Sequence, residues 1–383
     1  MSVKTHALVT TALVAAALMA APAGAQTQPQ AQGQAAAADS GTMKRADKDM
    51  RQVLDKLQSL GAKPIGTQSV EETRKGPTPA DAVKAVLKDE GKDPDKLMAQ
   101  MGVSKKDIAY TGPSGDMPAR VYTPSGTAPQ GGWPIVVYYH GGGWVIADLD
   151  TYEASAMGLA KQANAIVVSV EYRHAPENKF PAAHEDAITA YSWVLRNAGS
   201  FGGDPTRVAL AGESAGGNLA INVAIAARQG NFQKPAHMLL IYPVAGTDLN
   251  TPSYKENANA MPLSKQGMEW FVQNATNGAS DLQDPRLDVV GKADLKGLPP
   301  ATVITAEIDP LRSEGKALAD KLKSAGVDVT YRDFDGVTHE FFGMAPVVAD
   351  AEKAQAFAGK ELKEALAKGS ATGSTSGGAT KKQ

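Results

Sequence analysis

Three observations predict that this 383-residue chain folds as an α/β protein around a mostly parallel, eight-stranded sheet. From about Asp107 onward, short apolar runs alternate with helical patterns, as in domains whose parallel strands are joined by helices. Runs such as AIVVSV and PIVVYY are continuously apolar, which is typical of strands covered on both faces. The content of 43% hydrophobic and 21% charged residues is that of an ordinary globular protein.

The alternation places each element in turn. The predicted strands are Asp107–Tyr110, Ala119–Thr123, Ile135–Tyr139, Ala165–Val170, Val208–Ala211, Met238–Tyr242, Ala301–Thr305 and Val327–Tyr331. The predicted helices are Ala154–Gln162, Pro181–Asn197, Ala215–Gln229, Ser313–Ser324 and Asp350–Ala367. Together they define a main domain over residues 103–368.

Residues 43–102 carry a different, helical pattern. The apolar positions recur at helical spacing and are Met50, Val53, Leu54, Leu57 and Leu60, then Ala82, Val83, Val86 and Leu87 after Pro79. Short amphipathic helices cannot bury an apolar face alone, so we expect them to pack on the main domain.

Both ends of the chain are predicted to lie outside the fold. Residues 1–25 have a basic start, a short apolar stretch and the small residues Ala23-Gly24-Ala25, the layout of a secretory signal peptide. Residues 26–42 read as a flexible leader, and residues 369–383 as a disordered tail. We therefore expect export to the periplasm or beyond, without stable membrane insertion.

Composition excludes several classes of function. The formal net charge of −2 gives no electrostatic reason to expect nucleic acid as a partner. The absence of cysteine excludes disulfides, thiolate metal sites and a cysteine nucleophile. Two histidines and a carboxylate could hold a metal, but no close spacing such as H-E-x-x-H is present, so we expect neither metal nor other cofactor.

The segment Gly212-Glu213-Ser214-Ala215-Gly216 lies between a predicted strand and a predicted helix. G-x-S-x-G at a sharp strand-to-helix turn exposes the serine hydroxyl, and the flanking glycines avoid collisions with neighbouring backbone. A serine that only caps the helix is the alternative. The context favours a nucleophile at Ser214.

A serine nucleophile needs a base and an acid, in the chain order Ser…Asp/Glu…His. His339 lies in a loop after the last predicted strand, and Asp309 follows the apolar run at 301–305. All three candidates thus lie at carboxyl ends of strands, where open α/β sheets bind ligands. Glu307 is the nearest rival to Asp309, and His140 is expected to shape the glycine loop.

The glycine run at 141–143 follows the third predicted strand. Acyl transfer requires N–H donors for the tetrahedral oxyanion, and bare backbone lets substrate approach such donors. In this architecture the N–H after the nucleophile, here that of Ala215, acts with N–H groups of a glycine loop.

At this point the chain resembles the hormone-sensitive-lipase-like bacterial carboxylesterases, which have the α/β-hydrolase fold. Five blocks carry the resemblance, in order and with similar spacing: HGGGW at 140–144, EYRHAPENKFPAAHEDA at 171–187, GESAGG at 212–217, GLPPATVITAEIDPLRSEG at 297–315 and GVTHEFF at 336–342.

The resemblance implies roles for individual residues. Ser214, Asp309 and His339 match the family's catalytic triad, and the amides of Gly142, Gly143 and Ala215 match its oxyanion hole. It also implies a cap formed by residues 43–102 and an insert at about 247–288. Trp144, Met268 and Phe271 are then candidates for substrate binding, with simple packing as the alternative for the last two.

Three positions depart from the family pattern. Glu213 stands where aspartate is frequent, His174 where an apolar residue is usual, and Glu340 where a small residue is common. None removes a catalytic group, although Glu340 lies beside the expected base.

The sequence thus predicts a serine carboxylesterase for short-to-medium acyl esters, with a small-molecule ester as its partner. The alternatives are an exported lipase, a polysaccharide or xylan acetyl esterase, or a non-catalytic binding protein on a hydrolase scaffold. The last would be expected to lack a triad member. Pairing of two subunits through a sheet edge stays open.

Overall fold

The computed structural model describes residues 41–230 and 232–368. The predicted signal peptide and tail, and all but the last two residues of the predicted leader, lie outside the described residues. Within them, no helix is both apolar enough and long enough to traverse a bilayer.

Eight strands form one sheet, as predicted. Numbered β1 to β8 in chain order, they are Val103–Gly112, Gly115–Pro124, Trp133–Tyr139, Ile166–Val170, Gly203–Glu213, Met238–Ile241, Ala301–Ile308 and Val329–Thr338. Their spatial order is β1-β2-β4-β3-β5-β6-β7-β8. β1, β2 and β4 pair antiparallel, and the pairs from β4 to β8 are parallel. β1 is longer than predicted, because the β1–β2 hairpin continues through polar residues that apolar patterning does not register.

Helices cover both faces of this sheet. Numbered α1 to α12 in chain order, they are Lys48–Ser59, Val70–Lys75, Pro79–Asp89, Pro94–Ala99, Glu153–Ala163, Ala182–Asn197, Ala215–Gln229, Pro252–Glu256, Lys265–Ala275, Val289–Lys292, Arg312–Ser324 and Ala349–Lys368. Alternate residues of β3 show the two-sided burial: Ile135 and Val137 pack with α6 and α7, whereas Val136 and Tyr138 pack with α5 and α12.

The N-terminal helices pack on the main domain, as expected. Apolar residues of α1 and α3 are buried and share a hydrophobic cluster with the α5 and α12 side of the sheet. The expectation for Leu60 is wrong, since its side chain is 41% exposed. α1 ends at Ser59, so Leu60 follows the helix instead of continuing its buried face.

Candidate active site

Ser214 lies in a sharp turn between β5 and α7. Its backbone has φ 55° and ψ −118°, a conformation that L residues rarely adopt and that marks strain at functional turns. The turn is held from both sides, because the Ser214 N–H donates to the carbonyl of Ile241 and the Ser214 carbonyl accepts from the Val244 N–H.

The two glycines that flank this turn are required by close backbone contacts. A Cβ on Gly212 would lie 2.1 Å from the carbonyl oxygen of Gly216. A Cβ on Gly216 would lie 2.0 Å from the carbonyl oxygen of Tyr139, on the neighbouring strand. Both distances are far inside van der Waals contact, so any side chain would force the turn open.

The other two predicted residues are brought to Ser214. Asp309 follows β7 directly and His339 follows β8, so all three side chains meet at one edge of the sheet. His339 Nε2 is 3.0 Å from Ser214 Oγ, and His339 Nδ1 is 2.6 Å from Asp309 Oδ2. The three side chains are almost fully buried. Asp309 also accepts the N–H of Leu311 at 2.8 Å, which fixes its carboxylate.

Glu307, the rival acid, does not reach the histidine. Its carboxylate accepts hydrogen bonds from Arg45 and from the N–H of Gly336, away from the His339 ring. The geometry therefore distinguishes Asp309 from Glu307.

The glycine loop after β3 lies against the Ser214 turn. Gly142 has φ 93° and Gly143 φ 59°, conformations that favour glycine, and a Cβ on Gly142 would lie 2.2 Å from the carbonyl oxygen of Ile146. Within the described part of the chain, the N–H groups of Gly142, Gly143 and Ala215 donate to no protein acceptor. Three uncommitted donors beside a serine hydroxyl can stabilise a developing oxyanion.

The candidate substrate-binding residues occupy two different places. Phe271, in α9, packs against the glycine loop, so that a Cβ on Gly143 would lie 2.2 Å from its ring. Met268 is buried one turn earlier in the same helix. Trp144 is buried beside the ring of His184, with centroids 5.9 Å apart. Phe271 is thus the candidate in direct contact with the loop.

A buried carboxyl network under the site escaped sequence reasoning. Glu213 accepts hydrogen bonds from Tyr138 Oη at 2.6 Å and Tyr242 Oη at 2.5 Å. Glu340 accepts from Tyr152 Oη at 2.6 Å, and its Oε1 lies 3.9 Å from His339 Nε2. The Tyr242 ring packs on His339 with centroids 4.6 Å apart. Only the departures at Glu213 and Glu340 hinted at this network.

These carboxyl groups influence the histidine. Burial alone would lower the pKa of His339, but the charge and hydrogen bond of Asp309, with contributions from Glu340 and Glu213, raise it above its ordinary value. Burial also raises the pKa of Glu340, and it raises the pKa of Glu213 to about 7.

One trio could offer ligand atoms to a metal. The side-chain ligand atoms of His140, Glu171 and His174 lie within 4.8 Å of one another. His140 Nδ1 contacts the carbonyl of Gly141 and so carries a proton, while its Nε2 lies 3.0 Å from Glu171 Oε1. Burial lowers the pKa of His140, but the charge and hydrogen bond of Glu171 outweigh it and the pKa is raised. The trio thus forms a polar cluster beside the glycine loop.

A cavity of about 450 Å³ reaches Glu340 and Glu213, the residues that follow His339 and precede Ser214 in the chain. Its walls come from α3, α4, the start of α5 and the turn that follows Phe342, and most of them are apolar. Glu213, Glu340 and Tyr152 line its inner end. We call this cavity the side chamber.

The fold and this arrangement agree with the relationships of the chain. Residues 136–343 match a family model described as α/β hydrolase fold, and the chain belongs to this family, on its hormone-sensitive-lipase-like branch. It is a carboxylic ester hydrolase, the activity for which its curated relatives and structural neighbours are named.

Particular relatives define that class. Carboxylesterase NlhH of Mycobacterium tuberculosis is 40% identical over 72% of this chain and 86% of its own length. An ethyl acetate hydrolase of Pseudomonas putida is 34% identical over 62% of this chain and 75% of its own. Among solved structures, an esterase of Pyrobaculum calidifontis has a TM-score of 0.69 at 34% identity, covering 80% of this chain and 97% of its own. A thermostable esterase of Pseudomonas putida gives 0.73 at 31%, covering 84% and 98%.

Proposed function

We propose that this chain hydrolyses short-to-medium acyl esters through a Ser214–His339–Asp309 triad and an acyl-enzyme intermediate. The observation that carries the proposal is the continuous hydrogen-bond path from Ser214 Oγ through His339 to Asp309. A serine hydroxyl attacks an ester only when a base accepts its proton, and this path supplies the base.

The steps follow from the groups at the site. Ser214 Oγ attacks the ester carbonyl carbon while His339 Nε2 takes its proton, and the carbonyl oxygen becomes an oxyanion facing the N–H groups of Gly142, Gly143 and Ala215. His339 then gives the proton to the alcohol oxygen as the C–O bond breaks. Water repeats the sequence on the acyl-enzyme and releases the acid. Asp309 holds the ring with Nδ1 protonated and stabilises the imidazolium.

Two features support shorter acyl groups. Phe271 packs directly against Gly143, which limits the space beside the oxyanion loop. One relative is named as an ethyl acetate hydrolase, an activity on a two-carbon acyl group.

The test compares purified protein lacking residues 1–25 with its Ser214→Ala variant on p-nitrophenyl acetate, butyrate, octanoate and palmitate. We expect hydrolysis of the first two or three esters and a loss on the order of 10⁴-fold or more in the variant. Ser200→Ala, at an exposed serine, is the matched control and should keep full activity. An active Ser214→Ala variant would exclude this nucleophile, and palmitate as the best substrate would favour the lipase alternative.

We also propose that the protein is exported, on the support of the signal-like residues 1–25. Expression of the full chain in a bacterial host should yield periplasmic or secreted protein whose N-terminus is Gln26. Cytoplasmic protein that keeps Met1 would contradict export.

A further inference from the structure

The side chamber approaches, through Glu340, the atom that delivers the proton to the leaving alcohol. Glu340 lines the chamber, and its Oε1 is 3.9 Å from His339 Nε2. During acylation the alcohol oxygen must come within hydrogen-bond distance of Nε2. The opposite side, beside Gly143, is filled by Phe271. The alcohol portion of an ester at Nε2 therefore lies next to Glu340, which separates it from the chamber.

The inner end of the chamber carries two carboxyl groups that lack a lysine or arginine partner. Within the described residues, neither Glu213 nor Glu340 has a lysine or arginine within 4.0 Å, and their partners are tyrosine hydroxyls. One oxygen of Glu340, Oε2, accepts no hydrogen bond in the described chain. Burial raises the pKa of both groups because it penalises their charge, so a cation bound beside them would favour the ionised form.

Cations near the chamber are positioned away from this end. Lys105 is paired with Glu153 at 2.6 Å, and Arg120 is paired with Asp107 and Asp150. Lys84, the other lysine on the wall, is exposed on α3. Apart from the His339 ring, 3.9 Å from Glu340, no cationic side chain of the described residues lies within 4.0 Å of the two carboxyl groups.

A tyrosine is hydrogen-bonded to the same Glu340 carboxyl group. Tyr152 is buried, lines the chamber and donates its hydroxyl to Glu340. A carboxylate with a tyrosine beside it suits an alkylated ammonium group, since carboxylates and aromatic rings both attract a cation. The apolar walls farther out suit its methyl groups.

We propose that the side chamber binds the leaving alcohol and selects esters of amino alcohols, with Glu340 facing the ammonium group. The proposal rests on the esterase function proposed above. The bonds are those of that reaction: the ester C–O bond breaks, the alcohol oxygen receives the proton from His339 Nε2, and the amino alcohol leaves through the chamber. An ammonium group two carbons from the alcohol oxygen reaches the Glu340 carboxylate.

The experiment measures kcat/KM for two esters of one size and shape, butyrylcholine and 3,3-dimethylbutyl butyrate. They differ in charge, because a neutral carbon replaces the ammonium nitrogen. We expect at least about a tenfold preference for the choline ester, the size of one charge-assisted contact. Glu340→Gln should reduce that ratio to about one, mainly through KM, whereas Glu307→Gln, which changes a carboxylate outside the chamber, should leave it unchanged.

A second pair of variants tests the location. Ala80 lines the chamber, and Lys88 is exposed on the same helix outside it. Ala80→Trp should raise the KM for butyrylcholine and 3,3-dimethylbutyl butyrate and leave the KM for methyl butyrate unchanged. Lys88→Trp should leave the KM for all three esters unchanged.

The outcomes separate this proposal from the function beneath it. Equal rates on the two esters, or a preference that survives Glu340→Gln, would overturn the choice of a cation. Hydrolysis of p-nitrophenyl butyrate but of neither butyrylcholine nor 3,3-dimethylbutyl butyrate would show that the chamber is not the alcohol site. Failure on p-nitrophenyl butyrate as well would mean that the esterase proposal itself has failed.

Discussion

The two nitrogens of His339 lie in opposite environments. Nδ1 faces a closed side, where the buried carboxylate of Asp309 lies at 2.6 Å and is itself held by the N–H of Leu311. Nε2 faces the substrate side, where Ser214 lies at 3.0 Å and Glu340, which lines the side chamber, lies at 3.9 Å. One nitrogen is fixed, and the other has room to exchange its proton with substrate.

The difference shows how a single ring can be both rigid and reactive. A fixed partner on Nδ1 sets the tautomer, so that Nε2 presents a lone pair to the serine. An open side on Nε2 is needed because nucleophile, leaving alcohol and water must each reach that atom in turn. Under the proposal above, Glu340 selects among the alcohols that reach it.

The largest effect is expected from removing the charge of Asp309, the partner of His339 Nδ1. Asp309→Asn should lower kcat by roughly 10³–10⁴-fold, because the amide favours the wrong tautomer of His339. Glu307→Gln is the matched control, two residues earlier on the same segment, and should stay within a few-fold of the unmodified enzyme. Steady-state kinetics on p-nitrophenyl butyrate checks both. Equal losses in the two variants would mean that Asp309 does not have the role of triad acid.

The next largest effect is expected from a substitution in the glycine loop that donates N–H groups to the oxyanion. Gly143→Ala puts a methyl group on the Phe271 ring at a residue with φ 59°, so the loop must move and its N–H groups turn away from the oxyanion. We expect kcat to fall by roughly 10²–10³-fold, the cost of one oxyanion donor. Gly199→Ala, where a Cβ meets nothing within 4 Å, serves as the control. Full activity of Gly143→Ala would remove this loop from the oxyanion hole.

The third prediction concerns how the free energy of unfolding changes with pH because of Glu213, which lies beneath Ser214 and His339. The pKa of Glu213 is about 7 in the folded protein against an ordinary 4.5, so the folded state binds the extra proton between these values. Its contribution is complete below about pH 4.5 and is lost as the pH rises through 7, by at most about 3 kcal/mol.

Glu213→Gln mimics the protonated group and should lose less stability than the unmodified protein between pH 5 and 8. Urea unfolding across this range measures the difference, and Glu71→Gln, at an exposed site, provides the control. Parallel stability profiles for Glu213→Gln and the unmodified protein would show that Glu213 ionises normally.

The smallest effect concerns the pH profile of activity. Groups that bear on the His339 ring are Asp309, Glu340, Glu213 and the buried Glu314, and the first three raise its pKa. The base acts when neutral, so activity should fall on acidification, beginning above the ordinary histidine range. Removal of the Glu340 charge makes the imidazolium less favourable and lowers the pKa of His339. Glu340→Gln should therefore raise the ratio of kcat/KM at pH 6 to that at pH 8 several-fold, and an unchanged ratio would separate Glu340 from the base.

The sequence was informative where function depends on local chain geometry. The turn around Ser214 could be predicted because its strand, glycines and helix are contiguous, and β3 could be placed because its apolar run is continuous. All eight strands were anticipated for the same reason. Asp309 follows β7, which ends at Ile308, three residues beyond its predicted end, whereas β8 ends at Thr338, seven residues beyond its predicted end, because its second half is largely polar.

What sequence reasoning missed depends on side chains that meet from separate elements. Glu213, Tyr138 and Tyr242 come from β5, β3 and the end of β6, and no linear pattern joins them. The side chamber lies between α3, α4 and α5, whose packing angles are not encoded in periodicity. The contact of Glu171 with both His140 and His174 likewise appears only once β3 and β4 are paired.

The most direct test of the triad is covalent labelling with diethyl p-nitrophenyl phosphate, followed by intact mass and peptide mapping. The account predicts one diethyl phosphoryl group per chain, located on Ser214, with loss of esterase activity in proportion to labelling. Asp309→Asn should label far more slowly, and Glu307→Gln at the normal rate. A label on another residue, or full activity of completely labelled protein, would contradict the triad.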